Sequence, residues 1–159
     1  MDNAFGDPQT IVLFGGSSEI GQAIVRRFVT PATGRIVLAG RTAADMAPFA
    51  AELTAAGVDE IDVVDFDAAE TAGHGAIVFD LAARHGDLDL VVLAFGVLGD
   101  QAAFDADPAA AADAVQVNFG GAVSTGLAVA AQLRRQGHGR LIVLSSVAGR
   151  LARLDRECS

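Results

Sequence analysis

Five short apolar runs punctuate the chain: Thr10–Phe14 (TIVLF), Arg35–Ala39 (RIVLA), Glu60–Val64 (EIDVV), Leu88–Ala94 (LDLVVLA) and Arg140–Ser145 (RLIVLS). They are rich in Val, Ile and Leu and mostly lack the apolar–polar alternation of a half-exposed strand. Such runs suit strands covered on both faces, as in a parallel sheet. Between them the apolar period changes. Ile20, Ala23, Ile24 and Phe28 recur on one helical face, as do Met46, Phe49 and Leu53, and then Ile77, Val78, Leu81 and Ala82. A fourth, Ala-rich segment runs from about Ala109 to Gln136. Its Gly120, Gly121, Ala122, Ser124 and Gly126 permit close approach by a neighbouring helix or ligand. Gly34, Gly57, Gly86 and Gly137 or Gly139 stand where these helices should stop.

The resulting order, βαβαβαβαβ, predicts an α/β fold. The sheet is Rossmann-like, doubly wound and parallel, with about five strands, right-handed crossovers and helices on both faces. No repeat, linker or low-complexity tract marks a second domain, so residues 1–159 read as a single domain.

The first strand runs directly into Gly15-Gly16-Ser17-Ser18-Glu19-Ile20-Gly21, which opens the first helix. Backbone amides at such a helix start carry partial positive charge and can bind a pyrophosphate if no side chain blocks the approach. Ser17 and Ser18 can cap the helix or donate to phosphate oxygens. Glu19 suits the helix dipole, but beside a pyrophosphate its carboxylate must point away. The second strand ends in Ala39-Gly40-Arg41. An acidic residue there would bond the ribose 2′-hydroxyl of NAD, whereas arginine suits the 2′-phosphate of NADP. NADP(H) is therefore favoured over NAD(H). A solvated Arg41 partnered by Asp45 is the plainer alternative.

These motifs together resemble the short-chain dehydrogenase/reductase family. Gly15 and Gly21 match the outer glycines of its G-x-x-x-G-x-G turn, with Glu19 in place of the middle one. Asp65-Phe66 resembles the family's acidic–apolar pair that contacts adenine, and Ala94-Phe95-Gly96 stands where Asn-Ala-Gly is usual. Asn118 resembles the asparagine of the long fourth helix. Leu144-Ser145-Ser146-Val147-Ala148-Gly149 resembles the motif ending the fifth strand, with Ser146 as its substrate-positioning serine. Within the family, GDPQTIVLFGGSSEIG, DFDA, AFGVLGD and LSSVAGR look like the decaprenylphosphoryl-2-keto-ribose reductase branch.

That resemblance implies reduction of the 2-keto group of a lipid-linked pentose in cell-wall arabinan synthesis. It also implies a flavoprotein oxidase partner and a place at the inner membrane face. Nicotinamide would supply the hydride. The family's Tyr of a Y-x-x-x-K pair, its pKa lowered by the Lys, would supply the proton, Ser146 would hold the carbonyl oxygen, and Asn118 would support the relay water.

Composition changes this picture at one point. The chain has no tyrosine, and all eleven of its basic residues other than histidine are arginine, so no Y-x-x-x-K pair can form from these residues. The expectation is a family fold cut before its last strands and inactive alone. The alternatives are a non-catalytic dinucleotide-binding module, or a fragment needing another chain. His74, His85 and His138 read as exposed or capping residues rather than substitute acids. The lost neighbours would bare an edge strand and an apolar helix face, so self-association is expected.

Other features exclude function classes. A net charge of −9 and a pI near 4.5 disfavour nucleic-acid binding. One cysteine, Cys158, and three scattered histidines give neither a disulfide framework nor metal-ligand spacing. Serine-hydrolase chemistry lacks its G-x-S-x-G elbow. There is no basic-then-apolar leader and no run of about 18 apolar residues, so the expected setting is cytoplasmic.

Overall fold

The computed structural model describes residues 6–146. The elements run β1 (Thr10–Phe14), α1 (Glu19–Phe28), β2 (Arg35–Gly40), α2 (Ala43–Ala55), β3 (Glu60–Asp65), α3 (His74–His85), β4 (Leu90–Leu93), α4 (Gln101–Ala106), α5 (Pro108–Val115), α6 (Ala122–Gln136) and β5 (Arg140–Val143). All five strands are parallel, in the order β3-β2-β1-β4-β5. The α/β parallel-sheet reading therefore holds.

Strand position explains the apolar runs. β1 and β4 are buried along their whole length, and β2 is buried from Ile36 to Ala39. β3 and β5 lie at the sheet's edges among the described residues. There the runs admit Glu60, Asp62, Asp65 and Arg140, which reach water. Residues alternate between two cores because successive side chains point to opposite faces. Ile11, Leu13, Ile36, Leu38, Leu90 and Val92 pack with Val25 of α1 and Met46, Phe49 and Leu53 of α2. Val12, Phe14, Val37, Val91 and Leu93 pack with Val78 and Leu81 of α3 and Val129 of α6.

Several expectations need correction. In α1 the buried positions are Gly21 and Val25, while Ile20 is 65% exposed and Ala23 is also exposed. The helix is rotated because Gly21 approaches the sheet closely: a Cβ there would sit 2.7 Å from Ala94 Cβ and 2.8 Å from Leu13 Cδ1. Gly34 does not stop α1, whose last residue is Phe28 with Val29 as cap. Gly86 and Gly137 do cap α3 and α6. α4 is additional to the four helical segments of the sequence pattern; Asp100 starts it by accepting from the Ala103 amide at 2.9 Å.

The predicted Ala109–Gln136 helix is present as α5, a π-helical turn over Gln116–Gly121, and α6. Together they form a 29-residue helix whose most apolar stretch has a mean hydropathy of 1.3, long and apolar enough by composition to cross a bilayer. Here its α6 part packs with α3 against one face of the sheet. Thr125 and Val129 are buried, and Gln136 Nε2 donates to the Leu88 carbonyl at 2.8 Å.

Two histidines also depart from expectation. His74 is fully buried and His85 is 6% exposed. His85 lies between carboxylates, Nε2 being 3.1 Å from Asp62 Oδ2 and Nδ1 3.4 Å from Glu60 Oε1.

Candidate functional site

β1 and β4 are neighbours, yet the chain leaves β1 for β2 on one side and leaves β4 for β5 on the other. The loops following them diverge and open a crevice at the carboxyl ends of the strands, where ligands bind in open α/β sheets. A cleft of about 260 Å³ occupies this place. Its floor is the turn after β1 (Gly15, Ser17, Ser18). One wall is Gly40 and Arg41 with Phe66, Asp67 and Ala68. The other is Ala94, Phe95, Gly96 and Val97, with Val117 of the long helix.

Gly15 is required by its surroundings. Its φ is +89°, and a Cβ would lie 2.6 Å from the Phe95 nitrogen, so no other residue fits between the floor and the β4 loop. The Gly15 and Gly16 amides both donate to the Ala39 carbonyl, at 2.8 and 2.9 Å, tying the turn to β2. Ser18 caps α1 by accepting from the Gly21 amide at 3.2 Å. The amides of Ser17, Glu19 and Ile20 make no hydrogen bond among the described residues. They are the donor set that a helix N-terminus offers an anion.

The predicted site residues divide accordingly. Gly15, Ser17, Ser18, Arg41, Phe66, Ala94, Phe95 and Gly96 line the cleft. Glu19 and Ile20 have exposed side chains outside the lining, so any role in binding falls to their amides. Gly21 is buried beneath α1, where it serves packing. Asp65 ends β3 with an exposed side chain and is not in the lining; Asp67 is. Phe66 is largely buried, its ring 4.8 Å from Phe14 and 5.3 Å from Phe95. Arg41 is exposed at the rim, and no ion pair with Asp45 holds it.

Asn118 lies in the π-helical turn, and its amide faces the β4 loop. The Val97 amide donates to Oδ1 at 2.8 Å, and Nδ2 donates to the Val97 carbonyl at 2.7 Å. Ser146 follows β5 and is exposed. The Leu144 amide, two residues before it, donates to the Leu93 carbonyl at 3.0 Å, so Ser146 leaves the sheet beside the β4 loop. Val147–Gly149, Cys158 and the final Ser159 lie outside the described residues.

Sequence reasoning missed Gly40, Asp67, Ala68, Val97 and Val117. Their side chains announce no chemistry; adjacency to motif residues was the available signal.

A parallel sheet with its cleft at the strand-order reversal, floored by a glycine turn and a helix N-terminus, defines a Rossmann-type dinucleotide fold. Residues 9–156 match the family described as short chain dehydrogenase, and the chain belongs to that family. It is 44% identical over 149 residues to an uncharacterized oxidoreductase of Mycobacterium tuberculosis, covering 94% of this chain and 58% of that protein. It is 42% identical over 151 residues to an uncharacterized oxidoreductase of Streptomyces coelicolor, covering 95% and 59%. Among solved structures it resembles a gluconate 5-dehydrogenase from Burkholderia cenocepacia in complex with NADP and tartrate. That likeness has a TM-score of 0.75 and 28% identity over 91% of this chain and 56% of the other. The chain thus spans less than two thirds of the length of these relatives.

Proposed function

We propose that the chain binds a nicotinamide dinucleotide in this cleft, NADP(H) in preference to NAD(H), as the cofactor-binding part of a keto-group reductase. The observation that carries the reading is the set of free amides at Ser17, Glu19 and Ile20 over a floor that admits only glycine at Gly15. They suit a pyrophosphate, with Gly21 letting α1 approach the sheet. Arg41, exposed at the rim, would receive a 2′-phosphate and so favour NADP(H). Phe66 and Asp67 would border the adenosine end. Ala94, Phe95 and Gly96 border the nicotinamide end, where the bound cofactor supplies hydride chemistry. The NADP complex of the gluconate 5-dehydrogenase supports the same assignment.

In this reading Ser146 orients the substrate carbonyl oxygen, and Asn118 holds the Val97 peptide in place beside it. The substrate class we propose is a 2-keto pentose carried on a polyprenyl phosphate. A flavoprotein oxidase would supply it at the inner membrane face. That part rests on the resemblance of GDPQTIVLFGGSSEIG, DFDA, AFGVLGD and LSSVAGR.

A second reading, dinucleotide binding without turnover, is favoured by one observation: the 159 residues hold neither Tyr nor Lys. A fluorescence titration with NADPH, run in parallel with NADH, tests the binding common to both readings. Saturation that prefers NADPH supports it, and no binding of either by a folded chain overturns it. Oxidation of bound NADPH on adding a ketone would separate the reductase from the binding module.

A further inference from the structure

The cleft's two walls are loops distant in sequence, and the long helix holds both. On the β4 side it does so through Asn118 and Val97. On the β3 side, Gln116 Nε2 donates to the Ala69 carbonyl at 3.2 Å, and Ser124 Oγ donates to the Thr71 carbonyl at 3.0 Å. Gly121 lies so close to the Ala68 carbonyl that any Cβ there would overlap it.

His74, the first residue of α3, completes this second attachment from inside. Its ring is fully buried, with Nε2 2.9 Å from the Asp67 carbonyl and Nδ1 3.0 Å from Thr125 Oγ1. A carbonyl only accepts, so the network assigns the proton to Nε2 and makes Nδ1 the acceptor of the Thr125 hydroxyl. Thr125 is itself fully buried. The imidazole also packs on the Phe66 ring, centroids 4.8 Å apart and planes inclined by 31°. Both nitrogens and the ring are thereby committed, and each contact leads to the wall or to the helix that supports it.

We infer that His74 is a positioning residue for the dinucleotide cleft. Clamped by Thr125, it fixes the Asp67 carbonyl and the Phe66 ring, and so sets the adenosine-side wall of Phe66, Asp67 and Ala68. The inference rests on the dinucleotide reading above and adds to it. Both walls take their position from one helix, through Asn118 on one side and Thr125 on the other. Without the imidazole, the Asp67 carbonyl keeps only its bond from the Glu70 amide, at 3.1 Å, and can shift toward the open cleft, where water replaces the lost donor. The wall then loosens while the sheet beneath it stays packed.

The test compares the unsubstituted chain with His74→Phe, which keeps an aromatic ring, and with Thr125→Val, which keeps the shape and removes only the hydroxyl. Three probes are titrated: NADPH, adenosine 2′,5′-bisphosphate and reduced nicotinamide mononucleotide. Circular dichroism monitors folding. Both variants should bind NADPH and the adenosine bisphosphate about fivefold to tenfold more weakly, the scale of one or two neutral hydrogen bonds. Binding of the nicotinamide mononucleotide should change less than about twofold. Equal loss for all three probes would reveal a general packing role and overturn the inference, as would no loss for any. If His74→Phe does not fold, Thr125→Val decides alone. Failure of the unsubstituted chain to bind NADPH is a separate result, which removes the dinucleotide reading and the inference with it.

Discussion

Asn118 grips the backbone of Val97 at both ends of one residue, accepting from its amide at 2.8 Å and donating to its carbonyl at 2.7 Å. The carboxamide therefore works as a brace between the π-helical turn and the β4 loop. Gly96 leaves room for it, since a Cβ there would come within 3.1 Å of Asn118 Oδ1. Asn118→Ala removes both bonds and should cost about 1–2 kcal/mol of stability, with weaker NADPH binding. Asn118→Asp keeps the acceptor for the Val97 amide but sets a second oxygen against the Val97 carbonyl. It should be no more stable than the alanine variant. Urea denaturation of the two variants checks the ranking.

Gly15 gives a second prediction. Its positive φ and the 2.6 Å approach to the Phe95 nitrogen leave no relaxed conformation for alanine. Gly15→Ala should lose at least about 2 kcal/mol, combining left-handed strain with overlap against the backbone. NADPH binding should disappear with it. An equilibrium unfolding midpoint within error of the unsubstituted chain would contradict this account.

Arg41 lines the cleft without an ion pair to Asp45. If it receives a 2′-phosphate, Arg41→Ala weakens NADPH binding by about tenfold or more and leaves NADH nearly unchanged, because only one of these ligands carries that charge. Paired titrations measure the ratio. An equal loss for both cofactors would assign Arg41 to some other contact.

Acid should weaken the β2–β3 edge. The Glu60 carboxyl is held below its usual range chiefly by its hydrogen bond from Arg35, whose Nε lies 2.6 Å away, with further attraction from the Arg35 and His85 charges. A carboxyl lowered on folding stabilises the protein above its unfolded pKa, and that contribution is lost as pH falls through the folded value. The melting temperature of Glu60→Gln should lie slightly below that of the unsubstituted chain at neutral pH. The two should converge below the carboxylate range. Both groups are exposed, so the gap should be small. A gap that widens on acidification would reverse the sign of this argument.

Val115, Phe119, Val123 and Leu127 stand four residues apart on the long helix, and all four are exposed. This stripe is the surface on which the expected self-association can rest. Phe119→Gln with Leu127→Gln should lower the average sedimenting mass at high protein concentration. A single monomer boundary for the unsubstituted chain under the same conditions would remove the expectation.

The sequence by itself determined the alternation of strands and helices, the parallel sheet and the glycine turn. Those features depend on local periodicity and on backbone demands that a few residue types meet. TIVLF and LVVL read as buried because inner strands must be apolar on both faces. Gly15 and Ser18 announced a helix start because few other residues serve there. Strand order, the rotation of α1 that exposes Ile20, and the burial of His74 were decided only by the tertiary structure. Each depends on what a distant segment places opposite. Gly21 meets Ala94 and Leu13 across the turn, and His74 finds its partners in Asp67 and in Thr125, fifty-one residues further along the chain. A histidine at a helix start reads as a surface residue until two partners, one of them remote, satisfy both of its nitrogens, because burial of a polar ring is tolerable only when its hydrogen bonds are made.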